Sequence, residues 1–79
     1  MFDILLRTGD GSEVIDSAND REDALILAMT YAEVHYDTQF GSDRGRLGLG
    51  AMTGGRDECI GYRFLNRAGT LITYRIWEV

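Results

Sequence analysis

The side chains that could do chemistry in this chain are few and scattered. His35 is the only histidine and Cys59 the only thiol among 79 residues. A general base must lie within hydrogen-bond reach of a nucleophile or substrate. Asp37 is near His35 in sequence, but no nucleophile or pocket motif accompanies them. His35 therefore reads as a packing or surface residue near a helix C-terminus, where the helix dipole favours the protonated ring. Cys59 becomes reactive only if a cation such as Arg56 lowers its pKa; otherwise it is a small apolar filler. One thiol excludes an internal disulfide, and one Cys with one His excludes a Cys/His zinc site within the chain. The acid pairs Glu22-Asp23 and Asp57-Glu58 lack the spacing of a calcium loop. No catalytic residue, metal or cofactor is expected.

Anion binding is the chemistry with more material. Six glycines lie between Asp37 and Glu58, together with Arg44, Arg46 and Arg56. Successive backbone N–H groups in such a segment can cradle a phosphate, and guanidinium forks match its oxygens. The order Gly45-Arg-Leu-Gly48-Leu-Gly50 fits neither a P-loop nor a dinucleotide fingerprint. A small anion- or nucleotide-binding protein using these three arginines is thus the alternative reading, against a plain flexible loop.

Charge is the most informative property. All eight basic residues are arginines, and they face thirteen carboxylates. Nine of the acids precede Thr38, where only Arg7 and Arg21 oppose them; the other six arginines and four acids follow. A polarised surface steers and orients a partner without dictating a fold. A net charge of −5 disfavours direct nucleic-acid binding, which depends on neutralising phosphates. It suits a protein that meets a basic partner. The lack of lysine covers the whole chain and not one face, so it fits a GC-rich coding bias better than arginine-specific recognition.

The elements that position these groups follow from periodicity. A length of 79 residues allows one domain with a small core. Phe2, Ile4 and Leu6 alternate with Asp3, Leu5 and Arg7, which predicts a strand over Phe2–Thr8 rather than a signal peptide. Gly9-Asp10-Gly11 supplies positive-φ positions for a turn into a short partner strand, Glu13–Asp16. Asn19 with Glu22 predicts a capping box opening a helix over Asp20–Tyr36. One stripe of that helix is Leu25, Ala28, Met29, Ala32 and Tyr36, facing a sheet; a second is Ala24, Leu27, Tyr31 and Val34. The second stripe calls for another lid, either the glycine-rich segment or a second copy meeting Leu27, Tyr31 and Val34 as a homodimer.

The chain then closes in a hairpin. A loop ending in Gly69 as a G1 bulge pairs Asn66 with Thr70, setting Tyr62 against Tyr74, Phe64 against Ile72 and Ile60 against Ile76. Arg63, Arg75 and Trp77 fall on the opposite face, types favoured at binding hot spots, although arginine stems lying over Trp77 on a solvated face is the plainer reading. The expected fold is α+β, ββ-α-loop-ββ, a four-stranded mostly antiparallel sheet with one helix on one face. No run of residues nears the ~20 apolar positions of a membrane span, and a cytoplasmic location is expected.

In size, charge and element order the chain resembles small phage-encoded inhibitors of bacterial defence, notably compact α+β anti-CRISPR proteins. The features that carry the resemblance are the Phe2–Thr8 and Glu13–Asp16 strands, the Asn19-capped helix and the closing hairpin. It implies a non-enzymatic protein that occludes a nucleic-acid-binding surface on a host complex. The carboxylates Asp10, Glu13, Asp16, Asp20, Glu22 and Asp23 are the expected contacts for such a basic groove.

Overall fold

In the computed structural model, residues 1–41, 48–52 and 60–79 are described. Strand β1 (Phe2–Thr8) turns into β2 (Gly11–Ala18), which leads into helix α1 (Arg21–Phe40). Strands β3 (Gly50–Met52), β4 (Ile60–Leu65) and β5 (Leu71–Glu78) follow. They form one antiparallel sheet in the order β2-β1-β5-β4-β3, with the helix packed against one face. The expected element order holds with one addition: the glycine-rich segment supplies a fifth strand. Three residues, Gly-Ala-Met, are too few to show an alternation in sequence.

The closing hairpin has the register that its turn demands. Tyr62 pairs with Tyr74, Phe64 with Ile72 and Ile60 with Ile76. The Asn66 N–H donates to the Thr70 carbonyl at 2.9 Å, and Gly69 takes φ 83°, the left-handed conformation of the bulge position. The first hairpin closes through a two-residue loop, since Thr8 pairs with Gly11; of its two glycines Gly11 carries the positive φ.

The helix start lies one residue beyond the expected cap. Asp20, not Asn19, is the N-cap: its Oδ1 accepts from the Asp23 N–H at 2.9 Å, and its carbonyl takes the Ala24 N–H. Glu22 then stands at the second helical position, out of place to reach back to Asn19. The helix also runs four residues past Tyr36, because no breaker intervenes before Gly41, whose φ of 80° ends it. No basic residue lies in the last turn; instead Arg67, from the β4–β5 loop, donates through Nε to the Gln39 carbonyl and sits over the Phe40 ring. A cation there complements the negative end of the dipole.

The helix meets the sheet along Ala24, Ala28, Ala32 and Tyr36, a row at spacing four that joins three members of the expected sheet-facing stripe to Ala24 of the second. Small side chains there let the helix approach closely, so Leu25, Leu27 and Tyr31 pack against the core from either side. The core thus buries Ala24 of the second stripe fully and Leu27 and Tyr31 partly. Met29 and Val34 are left exposed. Phe64 centres the core, with the rings of His35, Tyr36 and Phe40 edge-on to it at 5.1, 5.4 and 6.5 Å. No described helix is long and apolar enough to cross a membrane.

Candidate functional site

The structure divides the sequence-predicted contact residues into two groups on different parts of the molecule. The first is an acidic margin. Strand β2 is an edge of the sheet and leads directly into the helix N-terminus. Asp10 lies in the turn before it, Glu13 and Asp16 lie on it, and Asp20, Glu22 and Asp23 follow at the cap and first turn. All but Asp16 are exposed. Among the described residues none of the six pairs with a cation. The start of β2 forms one side of a shallow depression lined by Leu6, Thr8, Asp10, Gly11, Ser12 and Glu13.

Asp16 has a structural task as well. The β1–β2 ladder slips between Ile4 and Leu5, so that Ile4 pairs with Asp16 while Leu5 pairs with Val14. The extra residue lets two neighbours face the helix. Ile15 packs on the core, and Asp16 Oδ2 accepts from the Tyr31 hydroxyl at 2.7 Å. That hydrogen bond, with another from the Ser17 N–H, holds the Asp16 carboxyl below its ordinary pKa. The same bond to Asp16 raises the Tyr31 phenol, because the phenolate could not donate. Asp20 is likewise committed, to the cap. Asp10, Glu13, Glu22 and Asp23 are the members of the margin whose carboxylates hold nothing in place among the described residues.

The second group lies on the sheet face away from the helix. Because Ile72, Tyr74 and Ile76 are buried in the core, Thr73, Arg75 and Trp77 point to the opposite side. Their neighbours across the ladders are Arg7, Leu5 and Asp3 on β1, with Arg63 and Gly61 on β4. Trp77 is 51% exposed, and Leu65 and Leu71 are exposed beside the hairpin turn. Gly61 is required by closeness: a Cβ there would fall onto the Tyr74 carbonyl and come within 2.6 Å of the Arg75 Cα. Arg63, Arg75 and Trp77 thus share one face, as the hairpin register predicts, and Arg7 joins them from the other end of the chain.

His35 is a packing residue. Its Nδ1 lies 2.6 Å from the Tyr74 hydroxyl, and Phe64 and Tyr74 meet its ring edge-on at 5.1 and 5.7 Å. Burial lowers its pKa and raises that of Tyr74; because the helix runs on to Phe40, His35 stands outside the last turn, where the dipole would have favoured the protonated ring. Of the three residues considered for self-association, Tyr31 is engaged by Asp16 and stacked on Tyr74 at 6.4 Å, Leu27 is half-buried, and Val34 is 62% exposed. Arg44, Arg46, Arg56 and Cys59 lie outside the described residues. Among the described residues no three His, Cys, Asp or Glu side chains gather as metal ligands. No protein-family model, curated protein or solved structure matches this chain.

Proposed function

We propose that this protein is a non-enzymatic interaction domain that binds a basic protein surface through its acidic margin, occluding a groove that would otherwise hold nucleic acid. The observation that carries the reading is the margin itself: six carboxylates strung from the β1–β2 turn along an edge strand to a helix N-terminus, five of them exposed and none neutralised by a cation among the described residues. Unpaired surface acids repel one another and cost some stability. A basic groove relieves that repulsion and is drawn in by the same field. Strand β2 pairs only with β1 among the described residues, so its other side adds a row of backbone donors and acceptors along the acidic edge that a partner strand can extend.

Salt and competition test the reading together. Immobilised protein should capture from a cell lysate a nucleic-acid-binding complex that added DNA or RNA displaces, with capture falling steeply as salt rises. The variant Asp10→Lys, Glu13→Lys, Glu22→Lys changes only carboxylates without a structural bond and should fold normally by circular dichroism. Loss of capture by that variant supports the margin as the contact. Undiminished capture, or capture indifferent to both salt and nucleic acid, rules it out.

A further inference from the structure

We infer that the sheet face away from the helix holds a binding site for the phosphate group of a small phosphorylated ligand of nucleoside monophosphate type, formed by Arg7, Thr73 and Arg63. The three residues stand abreast on adjacent strands, since Thr73 pairs with Arg7 on one side and with Arg63 on the other. Neighbouring strands lie about 4.8 Å apart, so the two arginine backbones are roughly 10 Å apart with the threonine between them. From there both guanidinium groups can close over the Thr73 position. Held so near, two cations repel unless an anion comes between them.

Thr73 points to the same place independently of charge. It is the one buried polar residue among those described, 8% exposed, and its Oγ1 has no hydrogen-bond partner. A buried hydroxyl without a partner is a standing cost to the fold, and such groups are uncommon in native proteins. An oxyanion seated between Arg7 and Arg63 would accept from the hydroxyl and from both forks, satisfying all three donors at once. Neither arginine side chain is otherwise engaged among the described residues.

The rest of the face sets the class of ligand. Trp77 is on the same strand and face, four residues from Thr73, which is about 13 Å at the strand rise. Leu5 lies beside it in the adjacent row, and Gly61 presents no side chain on the far side of Arg75. A half-exposed indole near a guanidinium pair suits a phosphate ester that carries a flat ring, with the ring stacked on Trp77. Asp3, paired with Trp77, and the acidic margin bound the cationic area, which favours a compact ligand over an extended polyanion. This site lies on the other side of the sheet from the margin and stands or falls without it.

Trp77 is the only tryptophan and reports on its own surroundings. Its fluorescence should be quenched saturably by adenosine monophosphate at low salt, more tightly than inorganic phosphate competes, while adenosine alone has little effect. Arg7→Ala with Arg63→Ala should weaken binding roughly tenfold or more. Thr73→Val should weaken it about three- to tenfold while raising the melting temperature, because it removes the unsatisfied hydroxyl. Loss of binding with a gain in stability cannot come from misfolding. The proposal is overturned by no saturable quenching at millimolar adenosine monophosphate, by binding no tighter than that of phosphate, or by unchanged affinity in either variant.

Discussion

The two faces of this sheet are made from the same strands, yet they answer to different constraints. The helix-side face is filled by Ile4, Phe64, Ile72, Tyr74 and Ile76, closed by a row of alanines on α1. The other face carries Arg7, Arg63 and Arg75 with Trp77, Leu65 and Leu71 open to solvent. On the first, each side chain is fixed by its neighbours, and a change is felt as lost packing. On the second, the exposed side chains are held less closely by neighbours, although Thr73 is buried there. The acidic margin runs along the boundary between the two, on β2 and at the helix start.

The sharpest way to break this contrast is at its centre. Phe64→Ala should cost about 3–5 kcal/mol in chemical denaturation, because three rings lose their common partner. Such a loss leaves little of the stability expected for a domain of this size. The second-largest effect should come from the open face and qualifies the contrast. Gly61→Val should cost roughly 1–3 kcal/mol, since its Cβ meets the Tyr74 backbone rather than solvent. By comparison, Leu65→Ser and Leu71→Ser should each shift stability by no more than about 0.5 kcal/mol. A cost above that at either position would mean that the face is covered.

Two titrations sharpen the contrast further, both on the helix side. Burial lowers the folded pKa of His35 below its ordinary value of 6.5. Between those two values the unfolded chain binds the proton more readily, so stability is full above 6.5 and falls as pH drops towards the folded value. Melting temperatures taken on acidification from neutral pH should decline, and His35→Phe should flatten that decline. The Asp16–Tyr31 bond works at the extremes. Its contribution is lost as pH falls through the lowered Asp16 value and again as pH rises through the raised Tyr31 value. Tyr31→Phe should return the Asp16 titration, followed by carboxyl NMR, towards its ordinary 3.8.

The hairpin β4–β5 was readable from the chain because two signals agreed. The alternation from Ile60 to Ile76 and the turn ending in Gly69 demand the same register. The helix was readable too, but Asn19 and Asp20 are both good caps, and only the Asp23 N–H decides between them. Strand β3 is too short to leave a period. The charge pattern was legible along the chain and misleading in space: topology sets β1 between β2 and β5, which carries Arg7 out of the acidic half to stand beside Thr73. Thr73 itself gives no signal in sequence, since threonine is ordinary in a strand. Its missing partner emerges only once Arg7 and Arg63 are known to flank it.

The most direct test of the acidic margin is to reverse charge on each surface in turn and follow capture of the basic partner. Asp10→Lys, Glu13→Lys, Glu22→Lys alters the margin; Arg7→Glu, Arg63→Glu alters the open sheet face. With both variants folded, capture should be abolished by the first and unchanged by the second. Capture that survives the first and is lost with the second would contradict the account, moving the protein contact to the face assigned here to a phosphate.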